Sequence, residues 1–361
     1  AAGTCALKGN WGGCHNTGIG QYALLSNTTA SFNTAIGSYA LRYNTEGCHN
    51  TAIGCGALRC NTTGCMNTAV GSQSLYCNTT GCNNTSMGFQ ALSGNSTGKQ
   101  NTAVGYYALA TEDGDGGNVA VGSNALLTLN AGATGYNTAV GASAGAAVTT
   151  GTQNTLIGAL AGDALTDADF NVAVGTSALS SDTLGGRAVA VGTYALFTQN
   201  FASATNNYNV GVGYSAGNAV TTGIRNTLLG GNNGDALTEG TENVAVGFNA
   251  LSKDTKGSMS VAVGTGALNA QNFTTATNAF NTAVGQDAGN DITTGAQNTL
   301  IGGLAGDALT VAFYNTAVGY AALSNDLKGY GNTAIGYQAL TSQQFGYTTT
   351  SYNTAVGYSA G

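Results

Sequence analysis

The sequence predicts an all-β protein, a parallel β-solenoid (a β-roll or β-helix) of about 21 coils, most of them 17 residues long. Three observations predict this fold. A unit close to Asn-Thr-Ala-Val-Gly-x-x-Ala-Leu recurs along the whole chain, and its glycine returns mostly every 17 residues. The chain has 57 glycines, which suit tight turns, and no proline, which would delete a ladder hydrogen bond. Each unit also alternates β-branched and small residues, which is the period of a strand.

The strand of each unit lies just before the recurrent glycine. In Thr34-Ala35-Ile36, the first and third side chains share one face and Ala35 lies on the other. We expect the Thr and Val/Ile side chains to point into a narrow core, with Asn and Ala on the opposite face. A second strand is predicted over x-x-Ala-Leu, as at residues 39–41 and 107–109. A helix is excluded because the recurrent glycine would cost roughly 1 kcal/mol in every unit.

The glycine spacing divides the chain into two arrays. Residues 1–136 form a Cys-containing array of 17-residue coils, and residues 137–361 form a 72-residue superrepeat array whose coil lengths run 17, 17, 17 and 21. No linker separates the arrays, so we predict one continuous solenoid, a rod on the order of 100 Å long at about 4.8 Å per coil. Because the first and last units are incomplete, we expect the sequence to be a window on a longer protein.

Composition excludes several classes of function. Only 7% of residues are charged, the net charge is −7 and no basic cluster occurs, which disfavours nucleic-acid binding. No apolar run approaches the ~20 residues that span a membrane, so no membrane insertion is expected. His15 and His49 lack the Ser and Asp partners of a catalytic triad. We therefore expect no enzymatic activity and no cofactor.

The motif Asn-Thr-Ala-Val-Gly, with variants such as Ser260-Val261-Ala262-Val263-Gly264, resembles the head repeats of YadA-like trimeric autotransporter adhesins, which read roughly Ser-Val-Ala-Ile-Gly. Similar arrays occur in phage and viral tail-fibre proteins. The resemblance covers essentially the whole chain. It implies a left-handed parallel β-roll outside the cell, usually with three chains side by side and often binding host surfaces. The coil is longer here than is typical of that family, which implies a larger outer loop.

Asparagine heads 18 of the 20 complete units, with Ala188 and Ser260 as the exceptions. Side-chain amides stacked at one coil position, such as those of Asn16, Asn33 and Asn50, can hydrogen-bond along the rod as a ladder. We therefore predict a structural ladder, and a carbohydrate-binding stripe is the alternative.

Eight cysteines, all in the first array, are candidates for disulfides: Cys5, Cys14, Cys48, Cys55, Cys60, Cys65, Cys77 and Cys82. Cys60 and Cys65 flank one loop and Cys77 and Cys82 flank the next, so each pair is predicted to close its own loop. The pairing of the other four stays open, since Cys48 shares a coil position with Cys65 and Cys82. The even count favours an oxidising, extracellular setting. Metal binding is the alternative, but it is disfavoured because the pairs lack Cys-x-x-Cys spacing.

Sequons of the type Asn-x-Ser/Thr make seven asparagines candidates for glycosylation. Of these, Asn61 and Asn78 are the preferred sites, because we expect them in exposed loops. The candidates are Asn27, Asn61, Asn78, Asn83, Asn84, Asn95 and Asn272.

The long coils of the superrepeat each carry a phenylalanine at the same position, namely Phe201, Phe273 and Phe345. Exposed aromatic residues are enriched at interfaces, so these bulges are predicted to contact a neighbouring chain or a receptor. The alternative is that each ring packs back onto its own coil.

The superrepeat also aligns three acidic residues, Asp163, Asp235 and Asp307. A calcium site would need six or more converging oxygens, so we interpret these residues as solvated surface charge.

Together these features predict a structural component of an extracellular filament or fibre at a cell or virion surface, with adhesion as one role. The expected partners are copies of the chain, as a homotrimer or a helical or head-to-tail filament, and cell-surface glycans or other surfaces. The alternative is an ice- or glycan-surface-binding β-solenoid, because Thr34, Thr51, Thr68, Thr85 and Thr102 form a row. That row shares a face with Val and Ile, so we expect it to point inward.

Overall fold

The computed structural model describes residues 1–114, 116–132 and 134–361, and this part of the chain is all-β and without a helix. It confirms a parallel β-solenoid of about 20 turns, in which hydrogen-bonded neighbours on successive turns are mostly 17 residues apart. The chain forms two compact units, Ala1–Ser177 and Ala178–Gly361. This division follows compactness, whereas the predicted one at residue 136 follows the type of repeat.

In the first unit, each turn places one three-residue strand just before the recurrent glycine. Neighbouring strands pair in parallel and in register, so that Thr34, Ala35 and Ile36 lie opposite the same residue types one turn later. The strands described in this unit are Thr17–Ile19, Thr34–Ile36, Thr51–Ile53, Thr68–Val70, Thr85–Met87, Thr102–Val104, Val119–Val121, Thr138–Val140, Thr155–Ile157 and Val172–Val174.

The second unit repeats this arrangement with Val189–Val191, Val210–Val212, Thr227–Leu229, Val244–Val246, Val261–Val263, Thr282–Val284, Thr299–Ile301, Thr316–Val318, Thr333–Ile335 and Thr354–Val356. Its long coils add small parallel sheets of two strands each. These pairs are Gly185–Gly186 with Thr205–Asn206, Gly257–Ser258 with Thr277–Asn278, and Gly329–Tyr330 with Thr349–Thr350. The extra residues of each long coil therefore form backbone pairs with the preceding coil.

The core lies on the opposite side of the strand from the one predicted. In each three-residue strand the middle residue is buried, and the first and third residues are half-buried or exposed. Ala35 is buried, and so are Ala40 and Leu41 from the following segment. Because Leu41 and its equivalents fill the narrow interior, only a small residue fits in the middle of most strands. The prediction of a Val/Ile core is therefore wrong.

The x-x-Ala-Leu segment is a turn, which corrects the prediction of a second strand there. Tyr39 and Leu41 have left-handed backbone angles, with φ of 62° and 48°, which no strand can accommodate. The turn still bonds to the next coil, since the Leu41 N–H donates to the Ala57 carbonyl at 3.0 Å. It thereby directs the leucine side chain into the core while keeping the backbone ladder.

A coupled exchange of residues fills the core where the strand carries a larger residue. Leu156 replaces the usual middle alanine and is fully buried. The turn leucines of its own and the preceding coil are replaced by Gly162 and Gly145, where a Cβ atom would lie 2.8 and 2.7 Å from Leu156 side-chain carbons. The same exchange recurs in the second unit around Leu228 and Leu300. Volume is thus conserved along the core.

The predicted asparagine ladder is confirmed. The Asn50 backbone N–H donates to Asn33 Oδ1 at 2.9 Å, and its Nδ2 donates to the Gly64 carbonyl at 2.8 Å. Its own Oδ1 accepts from the Asn67 backbone N–H at 3.0 Å. A second buried ladder, not predicted, runs beside it, since Asn61 Nδ2 donates to Asn44 Oδ1 at 2.7 Å. Both ladders satisfy polar backbone groups inside the coil.

Candidate functional site

A regular solvent-facing feature of both units is the side of the strands formed by their first and third residues, which we call the outer face. The first residue is Thr or Val, and the third is Ile, Val, Met or Leu. Ile19, Ile36 and Ile53 are 45%, 37% and 39% exposed in the first unit, and Ile301 is 40% exposed in the second. No strand residue of the outer face, among those described, is charged. Each unit therefore presents an uncharged array of mostly β-branched side chains.

The threonine row points outward, which corrects the expectation that it faces the core. Thr34, Thr51 and Thr68 are half-buried between their neighbours in the row. Threonine occupies this position in six consecutive strands from Thr17 and in five from Thr282. Since the strands pair in register, hydroxyl and methyl groups repeat about every 4.8 Å along the row. The outer face is thus periodic along the stacked strands.

The asparagine ladders do not form a ligand-binding stripe. Asn33 and Asn50 of the first row and Asn61 of the second are fully buried and hydrogen-bonded within the coil. This burial disfavours the carbohydrate-stripe alternative, because a ligand cannot reach these amides in the folded chain.

The cysteines are free thiols, all eight of them in the described part of the chain. The predicted loop disulfides Cys60–Cys65 and Cys77–Cys82 are therefore absent. Cys65 instead lies in a row with the cysteines one coil away, because the Cys48 N–H donates to Cys65 Sγ and the Cys65 N–H to Cys82 Sγ, both at 3.2 Å. The sequence showed that Cys48, Cys65 and Cys82 share a coil position, but the spacing of Cys60 and Cys65 within one loop favoured the wrong pairing.

The sequon asparagines divide into buried and exposed sets. Asn61 and Asn78 belong to the second ladder and are fully buried, so the expectation that they lie in exposed loops is wrong. Asn83 and Asn272 are exposed, which leaves their side chains accessible for modification. The remaining sequon asparagines are buried, namely Asn27, Asn84 and Asn95.

The phenylalanines of the long coils pack against the solenoid and do not point outward. Phe201 and Phe273 are buried, and Phe345 is half-buried. Phe273 contacts Ala279 and Ala296 in a small cluster. The prediction that Phe201 and Phe273 contact another molecule is therefore wrong, because both rings are buried.

Buried aspartates beneath these coils were missed by the sequence reasoning. Asp182 is fully buried, and its Oδ1 accepts from the Gly185 and Phe201 backbone N–H groups at 2.9 and 3.3 Å. Its Oδ2 accepts from Gln199 Nε2 at 2.6 Å, and Gln199 Oε1 accepts from Asn209 Nδ2 at 2.9 Å. The same set recurs at Asp254 with Gln271 and at Asp326 with Gln343. The sequence did carry a signal for these networks. An Asp and a Gln recur in each superrepeat at the coil position that asparagine occupies in the second ladder.

The Asp182 carboxyl gives a pH-dependent prediction. Burial raises the pKa of Asp182, and the hydrogen bonds from Gln199 and the backbone oppose this shift. A carboxyl whose pKa is higher in the folded state stabilises the fold at pH values below its unfolded-state pKa of about 3.9. This stabilisation is lost as the pH rises through the folded-state pKa. The unfolding free energy of Asp182→Asn, relative to wild type, should therefore increase from about pH 3 to about pH 7. Urea unfolding at both pH values measures this, with the exposed Asp291→Asn as the charge control, and a decrease would contradict it.

The three aligned aspartates are less solvated than predicted. Asp163, Asp235 and Asp307 are half-buried, and one carboxylate oxygen each of Asp235 and Asp307 is shielded from solvent without a hydrogen bond.

His15 and His49 both stack on Phe32, with ring centroids 5.0 and 4.9 Å away. In residues 1–114, 116–132 and 134–361, no three His, Cys, Asp or Glu side chains group closely enough to hold a metal ion. The same residues include no helix that is long and apolar enough to cross a membrane.

Comparison with known proteins adds no family assignment. No protein-family model matches the chain, and no curated protein matches it significantly. The outer face, the buried networks and the surface side chains are therefore interpreted from their own geometry.

Proposed function

We propose that this chain is a structural element of an extracellular filament or fibre at a cell or virion surface, in which copies associate side by side through the outer face. The observation that carries the proposal is the outward array of uncharged Thr, Val and Ile side chains. Large exposed apolar patches are uncommon on soluble monomers and mark interaction surfaces. The resemblance to trimeric adhesin heads and tail fibres supports a homotrimer or filament and an extracellular location.

Two properties of the outer face suit it to association with its own copies. Its side chains repeat with the coil, so parallel copies meet the same spacing along the whole contact. Like copies also do not repel one another, because the strand residues of the face carry no charge. Association would remove the half-exposed isoleucines from water, which is the main driving force for most protein–protein contacts.

Charge on the outer face should therefore prevent assembly. Ile53→Lys combined with Val70→Lys places two cations on the outer face of adjacent strands, and we expect a wild-type oligomer to fall to the monomer mass. Met66→Lys is the matched control, since Met66 is 60% exposed and lies outside the strands. Light scattering over a range of concentrations, with circular dichroism to verify folding, measures the effect. An equal mass for the double variant and the wild type would contradict the proposal.

Ice binding is the second candidate, and the outward threonine row favours it. Thr282, Thr299 and Thr316 place hydroxyl and methyl groups on the outer face at the coil spacing. A thermal-hysteresis assay separates the candidates. Hysteresis from a monomer would favour ice binding, whereas an oligomer without hysteresis would favour the filament.

A further inference from the structure

A surface groove in the second unit collects aromatic and polar side chains from three consecutive coils. Tyr194 and Phe197 come from the first coil, Tyr214 and Asn218 from the second, and Asp235 from the third. The groove has a volume of about 410 Å³, which is in the range of ~300–1,000 Å³ of small-molecule sites. Its aromatic side lies beside side chains that can donate and accept hydrogen bonds.

The aromatic rings of the groove meet edge to face. Tyr194 lies at 87° to Phe197 with centroids 5.4 Å apart, and at 76° to Tyr214 with centroids 6.4 Å apart. Tyr214 is 60% exposed. The residue one coil later in its row is Gly231, which places no ring over it. Ring surface is thus open to a ligand here.

Other surface aromatics of this unit are arranged differently. Tyr320, Tyr337 and Tyr358 form a parallel stack with centroid separations of 5.6 and 5.0 Å and interplanar angles of 17° and 9°. Within that stack Tyr337 lies between Tyr320 and Tyr358, so neighbouring rings cover both of its faces. The rings of the groove, which meet edge to face, therefore differ from rings that stack in parallel along one coil position.

The polar side of the groove holds an unsatisfied acceptor. Asp235 Oδ1 is shielded from bulk solvent and has no hydrogen-bond partner in the described chain. Asp235 also lines the groove and is half-buried as a whole, so its carboxylate is available there to accept a hydrogen bond from a ligand hydroxyl. Asn218 Nδ2 donates a long bond of 3.4 Å to the Tyr194 carbonyl, and Asn232 also lines the groove. Burial raises the pKa of Asp235, consistent with its partial removal from water.

We propose that this groove binds a neutral pyranose sugar. The apolar C–H face of the sugar packs on Tyr214, and its hydroxyls donate to Asp235 and exchange hydrogen bonds with Asn218 and Asn232. The carboxylate and the net charge of −7 disfavour uronic and sialic acids. An alkylammonium ion would also suit aromatic rings beside a carboxylate, but it has no hydroxyls for the two asparagines. The sugar therefore uses more of the site, and the inference is independent of assembly through the outer face.

The superrepeat supplies an internal comparison. The equivalent residues of the next superrepeat replace Tyr194 with Gly266 and Tyr214 with Gln286, while Asp235 is matched by Asp307. The later coils thus keep the carboxylate but lack the aromatic wall. Sugar binding should be confined to the earlier groove.

Titration of the whole chain with methyl glycosides of glucose, galactose, mannose and N-acetylglucosamine tests the proposal by saturation-transfer NMR and calorimetry. We expect saturable binding of at least one glycoside, weakened at least tenfold by Tyr214→Ala and by Asp235→Asn. The matched controls are Tyr358→Ala, at the same coil position as Tyr214, and Asp307→Asn, and both should bind as the wild type does. Circular dichroism verifies that each variant folds.

Three outcomes would overturn the proposal. One is the absence of saturable binding for every glycoside. Another is binding of tetramethylammonium in place of the sugars, which would make the groove a cation site. The third is equal weakening by Tyr358→Ala and Tyr214→Ala, which would place the sugar elsewhere.

Discussion

Replacing Gly319 by alanine should destabilise the second unit by about 3–5 kcal/mol, the combined cost of a forbidden backbone region and of overpacking. Gly319 has a φ of +134°, and a Cβ atom there would lie 2.4 Å from the Gly336 carbonyl oxygen. The next coil cannot retreat, because the Gly336 N–H donates to the Val318 carbonyl at 2.8 Å. The same approach between coils explains why this glycine recurs throughout the chain.

Urea unfolding followed by circular dichroism measures the loss. The matched control is Gly346→Ala, since Gly346 lies in the same unit, has no left-handed backbone angle and has no atom within 4 Å of the added methyl group. This control should change stability by no more than about 0.5 kcal/mol. If the two variants unfolded at the same urea concentration, the tight contact between coils would be contradicted.

Removing one amide from the buried ladder should cost nearly as much. Asn298 is fully buried, its Nδ2 donates to the Ala312 carbonyl at 2.9 Å, and its Oδ1 accepts from the Asn315 backbone N–H at 3.1 Å. Asn298→Ala leaves both backbone groups buried without these partners, at about 1–3 kcal/mol each. We therefore expect a loss of about 3–5 kcal/mol in the free energy of unfolding.

A charge variant and a surface control complete this test. Asn298→Asp keeps the shape, but at neutral pH a carboxylate oxygen faces the Ala312 carbonyl, so the variant should regain stability as acid protonates it. Asn278→Ala removes an exposed amide from the same unit and should change stability by no more than about 0.5 kcal/mol. A loss of less than about 1 kcal/mol for Asn298→Ala would contradict the ladder.

The sequence predicted the coil, the parallel register and the first asparagine ladder, because each follows from a strict period. It did not decide which face of the strand points inward, since alternation alone is the same for either choice. Hydrophobicity favoured Val and Ile for the core, but the leucine of each turn, such as Leu41, already fills it. Two signals in the sequence indicated the correct face. The middle residue of the strand is usually small, and the turn leucines are replaced by Gly145 and Gly162 where the strand carries the larger Leu156.

The candidate sites were harder to predict because they depend on neighbours between coils. Cys65 was paired with Cys60 along the chain, whereas its contacts are with cysteines one coil away. Phe201 was predicted to contact another molecule because exposed aromatic residues are enriched at interfaces, but its ring is buried. The open ring surface of Tyr214 depends on the absence of a side chain at Gly231, which becomes evident only when the coils are aligned.

Cryo-electron microscopy of the purified chain tests the central claim, association through the outer face, most directly. We predict assemblies of two or more chains in which the three-residue strands face one another across a shared dry interface. The Thr and Val/Ile rows should then be buried between chains. Single, separate solenoids, or assemblies that leave these rows facing solvent, would contradict the claim.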